Sequence, residues 1–231
     1  MADKDIRYMI KARGVKRAFP VSGGAFWALK GITADIPTGA LTILKGRSGS
    51  GKTTLMNILG ALDKPTEGKV LFAGKNIVKM DERSRTHLRR SEIGFVFQSV
   101  ALIPMMNAQE NVEFALRLAR YKGNRTERAL ECLHLVGLDK RAKHMPNELS
   151  GGEQQRVAIA RAIAHKPKVI FADEPTGELD TNTGLRVVKI FKDLIEKEGV
   201  TIVMTTHDTG LMEIGDRVYE LKDGEIAYED V

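Results

Sequence analysis

Residues 41–62 read LTILKGRSGSGKTTLMNILGAL, and the parsing of this stretch decides the fold. Leu41 to Leu44 is a short run apolar on both faces, which predicts a strand in the middle of a covered sheet. KTTLMNILGAL has the apolar spacing of a helix. Between them, Gly46 to Thr53 fits G-x-x-x-x-G-K-[ST], with a strand before it and a helix after it as that pattern demands. Its glycines let successive backbone N–H groups wrap a phosphate, and the helix N-terminus behind adds partial positive charge. On this reading Gly46, Arg47, Ser48, Gly49, Ser50 and Gly51 form a phosphate cradle, and Lys52 reaches the β- and γ-phosphates of a nucleotide. The Thr53 hydroxyl takes Mg²⁺, and Thr54 follows in the first helical turn.

Three further apolar runs predict strands: IGFVF at 93–97, VIFA at 169–172 and TIVMTT at 201–206. The second ends in two adjacent acids, at the carboxyl end of a strand where α/β proteins place their ligands. Asp173 is therefore expected to hold Mg²⁺, and Glu174 to act as general base on the attacking water. Gln98 follows IGFVF and is a candidate to bridge Mg²⁺ or that water. His207 follows TIVMTT and is a candidate hydrogen-bond donor to the γ-phosphate. The other histidines, His87, His134, His144 and His165, have no metal-ligand spacing with it, which argues against zinc.

Composition sets bounds without deciding function. The 231 residues are 42% apolar and 29% charged, ordinary for a globular protein, and carry a net charge of +6. The basic residues are scattered with no block of five or six, so charge alone does not argue for nucleic acid. A single cysteine excludes an internal disulfide framework, and Cys132, inside RALECLHLVGL, reads as a core residue. The polar start, MADKDIRYMI, shows no signal peptide, and no apolar run reaches the ~18 residues of a membrane span, so a cytosolic setting is expected.

The early segments Ile6 to Ala12 and Ile32 to Ile36 read as half-buried antiparallel strands. YELKDGEIAY reads as a hairpin turning at Asp223-Gly224. Asn107 with Glu110 marks a helix start, and further helices are expected over Thr126–Val136, Gly152–Ala164 and Thr183–Glu198. The nearly all-helical stretch from about 99 to 165 reads as a lobe inserted into an α/β core. Inside it, LSGGEQ (149–154) places Ser150, Gly151 and Gly152 at a helix start, a second element suited to an anion.

Taken together, GRSGSGKT, the glutamine of FVFQ, LSGGEQ, VIFADEP, GELD and the histidine of TTHD resemble the motifs of the ATP-binding cassette family, in its order and over nearly the whole chain. The resemblance implies a P-loop NTPase core of RecA-like type (about 1–98 and 166–231) with a mixed sheet. It also implies an antiparallel β subdomain and a helical lobe (about 99–165), in one nucleotide-binding domain spanning 1–231. It further implies a head-to-tail ATP sandwich, in which Ser150, Gly151, Gly152 and Glu153 contact nucleotide on the partner chain and Asp180 lines the seam. Phe19 is the positional match for the residue that stacks on adenine, with Phe26 and Trp27 as rivals. Glu178 stands where family members usually have a small residue, and Arg47 inside the P-loop is less usual.

ALDKPTEGKV, LIPMMNAQENVEFAL and LSGGEQQRVAIARA are similar to the ATPases of macrolide-export and lipoprotein-release systems. The expected partners are thus an integral membrane permease docking near Leu102, Ile103, Met105 and Met106, a second copy of the ATPase, and a periplasmic or extracellular accessory protein. Nucleic acid is not among them. The expected location is the cytoplasmic side of a bacterial plasma membrane, peripheral through the permease, in efflux or mechanotransmission. Two alternatives are an ATPase that signals through a non-translocating permease of the cell-division type, and a nucleic-acid ABC ATPase. The latter normally needs a long coiled-coil insertion, which this sequence lacks.

Overall fold

The computed structural model describes residues 7–177 and 179–230. Ile6, expected to open the first strand, and Glu178 lie outside the described residues. Contacts divide the chain into two compact units, residues up to 89 with those from 201 onward, and residues 90–200. The first unit contains β1 (Tyr8–Val21), β2 (Gly24–Pro37), β3 (Leu41–Lys45), α1 (Lys52–Leu59), β4 (Glu67–Phe72) and β5 (Lys75–Asn76). The chain then runs through α2 (Glu82–Glu92) into the second unit, with β6 (Ile93–Val96), α3 (Ala108–Leu118), α4 (Arg125–Leu135), α5 (Gly151–Ile163), β7 (Val169–Asp173) and α6 (Thr181–Glu198). It returns to the first with β8 (Thr201–Thr206), β9 (Arg217–Lys222) and β10 (Glu225–Asp230).

In the first unit an antiparallel sheet of order β2-β1-β4-β5 buries Ile10, Ala12, Val15, Leu29, Ile32 and Ile36. A mixed set of order β10-β9-β3-β8 joins parallel pairs (β3 with β8 and β9) to the antiparallel β9–β10 hairpin. Every residue of Leu41 to Leu44 and of β8 is buried, as strands covered on both faces require. The fully buried Tyr219 on β9 donates its hydroxyl to Asp35 O and accepts from Asp35 N–H, both at 2.9 Å. That exchange ties the mixed set to β2 and satisfies a buried hydroxyl that would otherwise be costly.

In the second unit β6 and β7 pair in parallel, from Ile93↔Val169 to Val96↔Ala172. Helices α3, α4 and α5 pack together and bury Val112, Leu116, Ala129, Cys132, Leu133, Val157 and Ile159. Burial pushes the Cys132 thiol up to about 12, so it is a core residue without thiolate chemistry. Arg128 on α4 is buried and donates to the carbonyls of Ile163 and Ala164, which close the C-terminal end of α5.

The architecture is the expected α/β fold with an antiparallel β subdomain and a helical lobe, and three local readings differ from it. The first two strands are a continuous hairpin of 14 residues each, so both run well beyond the expected segments Ile6 to Ala12 and Ile32 to Ile36. Helix α1 ends at Leu59, three residues before Leu62, because Gly60 caps it and Ala61 turns left-handed at φ 58°. Helix α2, sequence ERSRTHLRRSE, has Leu88 as its one apolar residue and no hydrophobic periodicity to announce it.

Candidate functional site

In the first unit, β3 delivers the chain to the glycine loop and α1 leaves it. Gly51 sits before α1 with φ 105°, a left-handed conformation that glycine adopts without a Cβ clash. Gly46 has φ 153°, and a Cβ there would meet Leu221 O at 2.4 Å and Ser50 Oγ at 2.5 Å, so only glycine fits. The Lys52 side chain lies back over the loop and donates to Gly46 O at 2.8 Å and Arg47 O at 3.2 Å. Its ammonium is thus held across the cradle, where an anion's oxygens can replace those carbonyls. Ser50 Oγ is buried and without a hydrogen-bond partner, an orphan polar atom inside the cradle. Both observations fit a phosphate. Arg47 to Ser50 also line a cleft of about 520 Å³ with residues 220–223, while Arg47 and Ser48 themselves are exposed.

Phe19, on β1, is 36% exposed and pairs across the hairpin with Phe26. The Arg17 guanidinium lies 4.6 Å from the Phe19 ring centroid and is itself held by Asp63. Phe26 and Trp27 are also exposed. His207 is exposed just after β8, beside a turn closed by Asp208, whose side chain accepts from Gly210 N at 2.8 Å.

In the second unit, β7 ends at Asp173 and the chain turns at Glu174 with φ 44°. A left-handed non-glycine residue costs about 1–2 kcal/mol, and such strain collects at functional positions. Gln98 follows β6, the strand paired to β7. Gly177 shows that the two strand ends converge. A Cβ there would lie 3.6 Å from Glu174 Oε2 and 3.7 Å from Gln98 Nε2. The amide and the carboxylate predicted separately therefore flank one small space, kept open by a glycine that sequence reasoning did not single out.

Ser150 caps α5. Its Oγ accepts from Glu153 N at 3.3 Å, while Glu153 Oε2 accepts the Ser150 N–H at 2.9 Å, a complete capping box. The bonds from the Ser150 backbone and hydroxyl, with help from Arg141, hold the Glu153 carboxyl below the usual carboxylate range. A Cβ on Gly152 would strike Thr183 Cγ2 at 2.6 Å, so this glycine admits the first turn of α6. Asp180 caps that helix, accepting from Thr183 N and Oγ1 at 3.1 and 2.6 Å.

The segment after Gln98 is anchored from both sides. Arg161, on α5, donates to Val100 O at 3.1 Å and Ala101 O at 2.6 Å. The buried Asn111 on α3 accepts from Ile103 N and donates to Met106 O, both at 2.8 Å. Held this way, Met105 is 86% exposed while Leu102, Ile103 and Met106 are half-buried.

Thr53 in the first unit and Asp173 in the second each carry an oxygen donor of the hard kind that Mg²⁺ takes. Among the described residues no group of three or more His, Cys, Asp or Glu is placed to hold a metal. An ion carried largely by phosphates and water takes only one or two protein carboxylates and needs no such group.

A glycine cradle under a lysine, an acid-tipped strand and a capped Ser-Gly-Gly helix start define a nucleotide-binding ATPase of the P-loop class. Residues 29–177 match the family described as ABC transporter, and the chain belongs to that family. It is 46% identical over 228 residues to an uncharacterized ABC transporter ATP-binding protein of Methanocaldococcus jannaschii, MJ0796, covering 96% of this chain and 97% of that one. A solved dimeric structure of that cassette, in a post-hydrolysis state bound to ADP and Pi, superposes with a TM-score of 0.88 at 44% identity, covering 96% of this chain and 98% of that one. The lipoprotein-releasing system ATP-binding protein LolD of Bacteroides thetaiotaomicron is 44% identical, over 94% of this chain and 99% of its own. The macrolide export ATP-binding/permease protein MacB of Wolinella succinogenes is 45% identical over 95% of this chain but only 34% of its own.

Proposed function

We propose that this chain is the ATP-hydrolysing subunit of a membrane transporter, working as a head-to-tail pair on a permease in efflux or mechanotransmission. The observation that carries the reading is Lys52 laid across the carbonyls of Gly46 and Arg47 inside a cradle only glycine can form. The whole chain acts as one nucleotide-binding domain, with a core of about 1–98 and 166–231 and a helical lobe of about 99–165. Backbone N–H groups from Gly46 to Thr54 bind the phosphates, Lys52 neutralises them, and Phe19 stacks on the base. Mg²⁺, held by Thr53, Asp173 and Gln98, would supply further charge neutralisation on the phosphates. Glu174 takes the proton of the attacking water, Gln98 orients that water, and His207 donates to the γ-phosphate. Ser150, Gly151, Gly152 and Glu153 act on the nucleotide of the partner chain, as expected for paired cassettes, and Asp180 lies along the seam.

Among the described residues no helix is long and apolar enough to cross a membrane, and the chain is proposed to work through a permease. Its location is then the cytoplasmic face of the membrane, and a periplasmic or extracellular accessory protein completes the system. Co-expression with a candidate permease tests this reading. The chain should co-purify with the membrane protein and its ATP hydrolysis should respond to it. A chain that hydrolyses ATP but binds no membrane subunit would contradict the transporter assignment.

The docking site is proposed at Leu102, Ile103, Met105 and Met106. Methionine-rich apolar surface adapts to a docked helix, and this segment is anchored beside Gln98 rather than free to collapse. Met105→Asp is the cleaner test, because Met105 is 86% exposed and contributes little to folding. It should weaken permease binding by about 2 kcal/mol, as for a charge placed at an interface centre, with ATP affinity and circular dichroism unchanged. Leu102→Asp should behave alike, and normal assembly of both variants would place the docking site elsewhere.

A further inference from the structure

We infer that Arg141 is a positioning residue for nucleotide recognition by the α5 helix start, pairing with Glu153 so that a negative charge there does not repel the partner's triphosphate. The inference rests on the head-to-tail reading above. Ser150, Gly151 and Gly152 are uncharged and suit an anion, but the next residue is a carboxylate. Glu153 Oε2 accepts both the N–H and the hydroxyl of Ser150 at 2.9 Å, so in this state the Ser150 proton is spent on Glu153 rather than offered outward. To serve a phosphate, that hydroxyl must turn away, leaving Glu153 with one donor fewer and an anion approaching it. Like charges in such proximity oppose association.

Arg141 answers both difficulties. It sits in a short helical turn, Asp139–Arg141, and its Nε donates to Glu153 Oε1 at 2.9 Å, the oxygen Ser150 does not use. Its Nη1 meets His144 Nε2 at 3.1 Å, which fixes the guanidinium from the other side. The carboxylate therefore remains compensated when Ser150 changes partner. Arg156, one turn along α5, adds positive charge near Gly152. Arg141 is 46% exposed at its side chain against 18% for Glu153, so its removal opens no core void but leaves the less exposed acid without its partner.

The test uses the full chain carrying Glu174→Gln, which should hold ATP unhydrolysed, with dimerisation measured by analytical ultracentrifugation in ATP. Adding Arg141→Gln should weaken dimerisation about threefold at each of two equivalent sites, hence about tenfold overall, and less at high salt. Arg141→Lys, which keeps the charge, should restore most of the loss. In a chain also carrying Glu153→Gln, the same Arg141→Gln change should alter dimerisation less than about twofold, because no carboxylate remains to neutralise. An equal loss with and without Glu153→Gln, no loss in the first case, or Lys no better than Gln would overturn the inference. A parent chain that fails to dimerise in ATP would instead refute the head-to-tail reading itself, and with it this role for Arg141.

Discussion

Glu174→Gln should lower ATP hydrolysis by about 10²-fold or more while ATP binding persists. The substitution keeps the size of the side chain and one carbonyl oxygen, and it removes the basicity a general base needs, a contribution of about 10²–10⁴ in rate. Glu174 follows β7 with a left-handed backbone, φ 44°, and its Oε2 and Gln98 Nε2 both lie close to Gly177, 3.6 and 3.7 Å from where a Cβ would stand. Glutamine tolerates the same backbone about as well as glutamate, so the fold should hold. Steady-state phosphate release with a parallel nucleotide titration checks both halves. Hydrolysis within a few-fold of the unsubstituted chain would remove Glu174 from the role of base.

Lys52→Ala should weaken ATP binding by about 2–3 kcal/mol, some 30- to 150-fold, the usual value of a charge-assisted contact in a closed site. Lys52 is 5% exposed and anchored to two loop carbonyls, so its ammonium is already placed for phosphate before ligand arrives. Alanine also removes the side-chain donor from the Gly46 and Arg47 carbonyls, the latter keeping the Ser50 N–H at 3.1 Å. Isothermal titration with ATP, alongside thermal unfolding of the free chain, separates lost affinity from lost fold. Unchanged affinity would contradict the cradle assignment.

The parts of this molecule readable from sequence are those whose physics is local. The strand-loop-helix at 41–59 follows from a doubly apolar run, a glycine pattern and a helix former. The cap at Asn107 follows from Glu110 three residues on, and the structure shows both hydrogen bonds of that box. The turn at Asp223-Gly224 follows from its dipeptide, and both residues adopt positive φ. Helix α2 was hidden because it buries Leu88 and Arg85 rather than an apolar stripe; Arg85 Nη2 donates to the carbonyls of Ala61 and Asp63, both at 2.7 Å. Such a helix exists through tertiary contacts, and no periodicity reports it.

Site residues divide along the same line. Asp173, Glu174 and Gln98 were legible as polar residues ending apolar strands, but the convergence of Glu174 and Gln98 around Gly177 depends on the pairing of β6 with β7, a contact between distant segments. The sequence marks Ser150 and Glu153 three residues apart. Nothing local connects them to Arg141, which reaches Glu153 from twelve residues upstream through a separate helical turn. Long side chains bridging between elements are the least legible class, because they leave no spacing rule behind.

ATP should join two copies of this chain, with Ser150 of each acting on nucleotide bound by the other. Analytical ultracentrifugation of the Glu174→Gln chain, with and without ATP, tests it most directly. An ATP-dependent dimer is expected, with loss of that dimer when Ser150→Arg fills the space at the start of α5. A chain that stays monomeric in saturating ATP, or a Ser150→Arg variant that still dimerises, would contradict it.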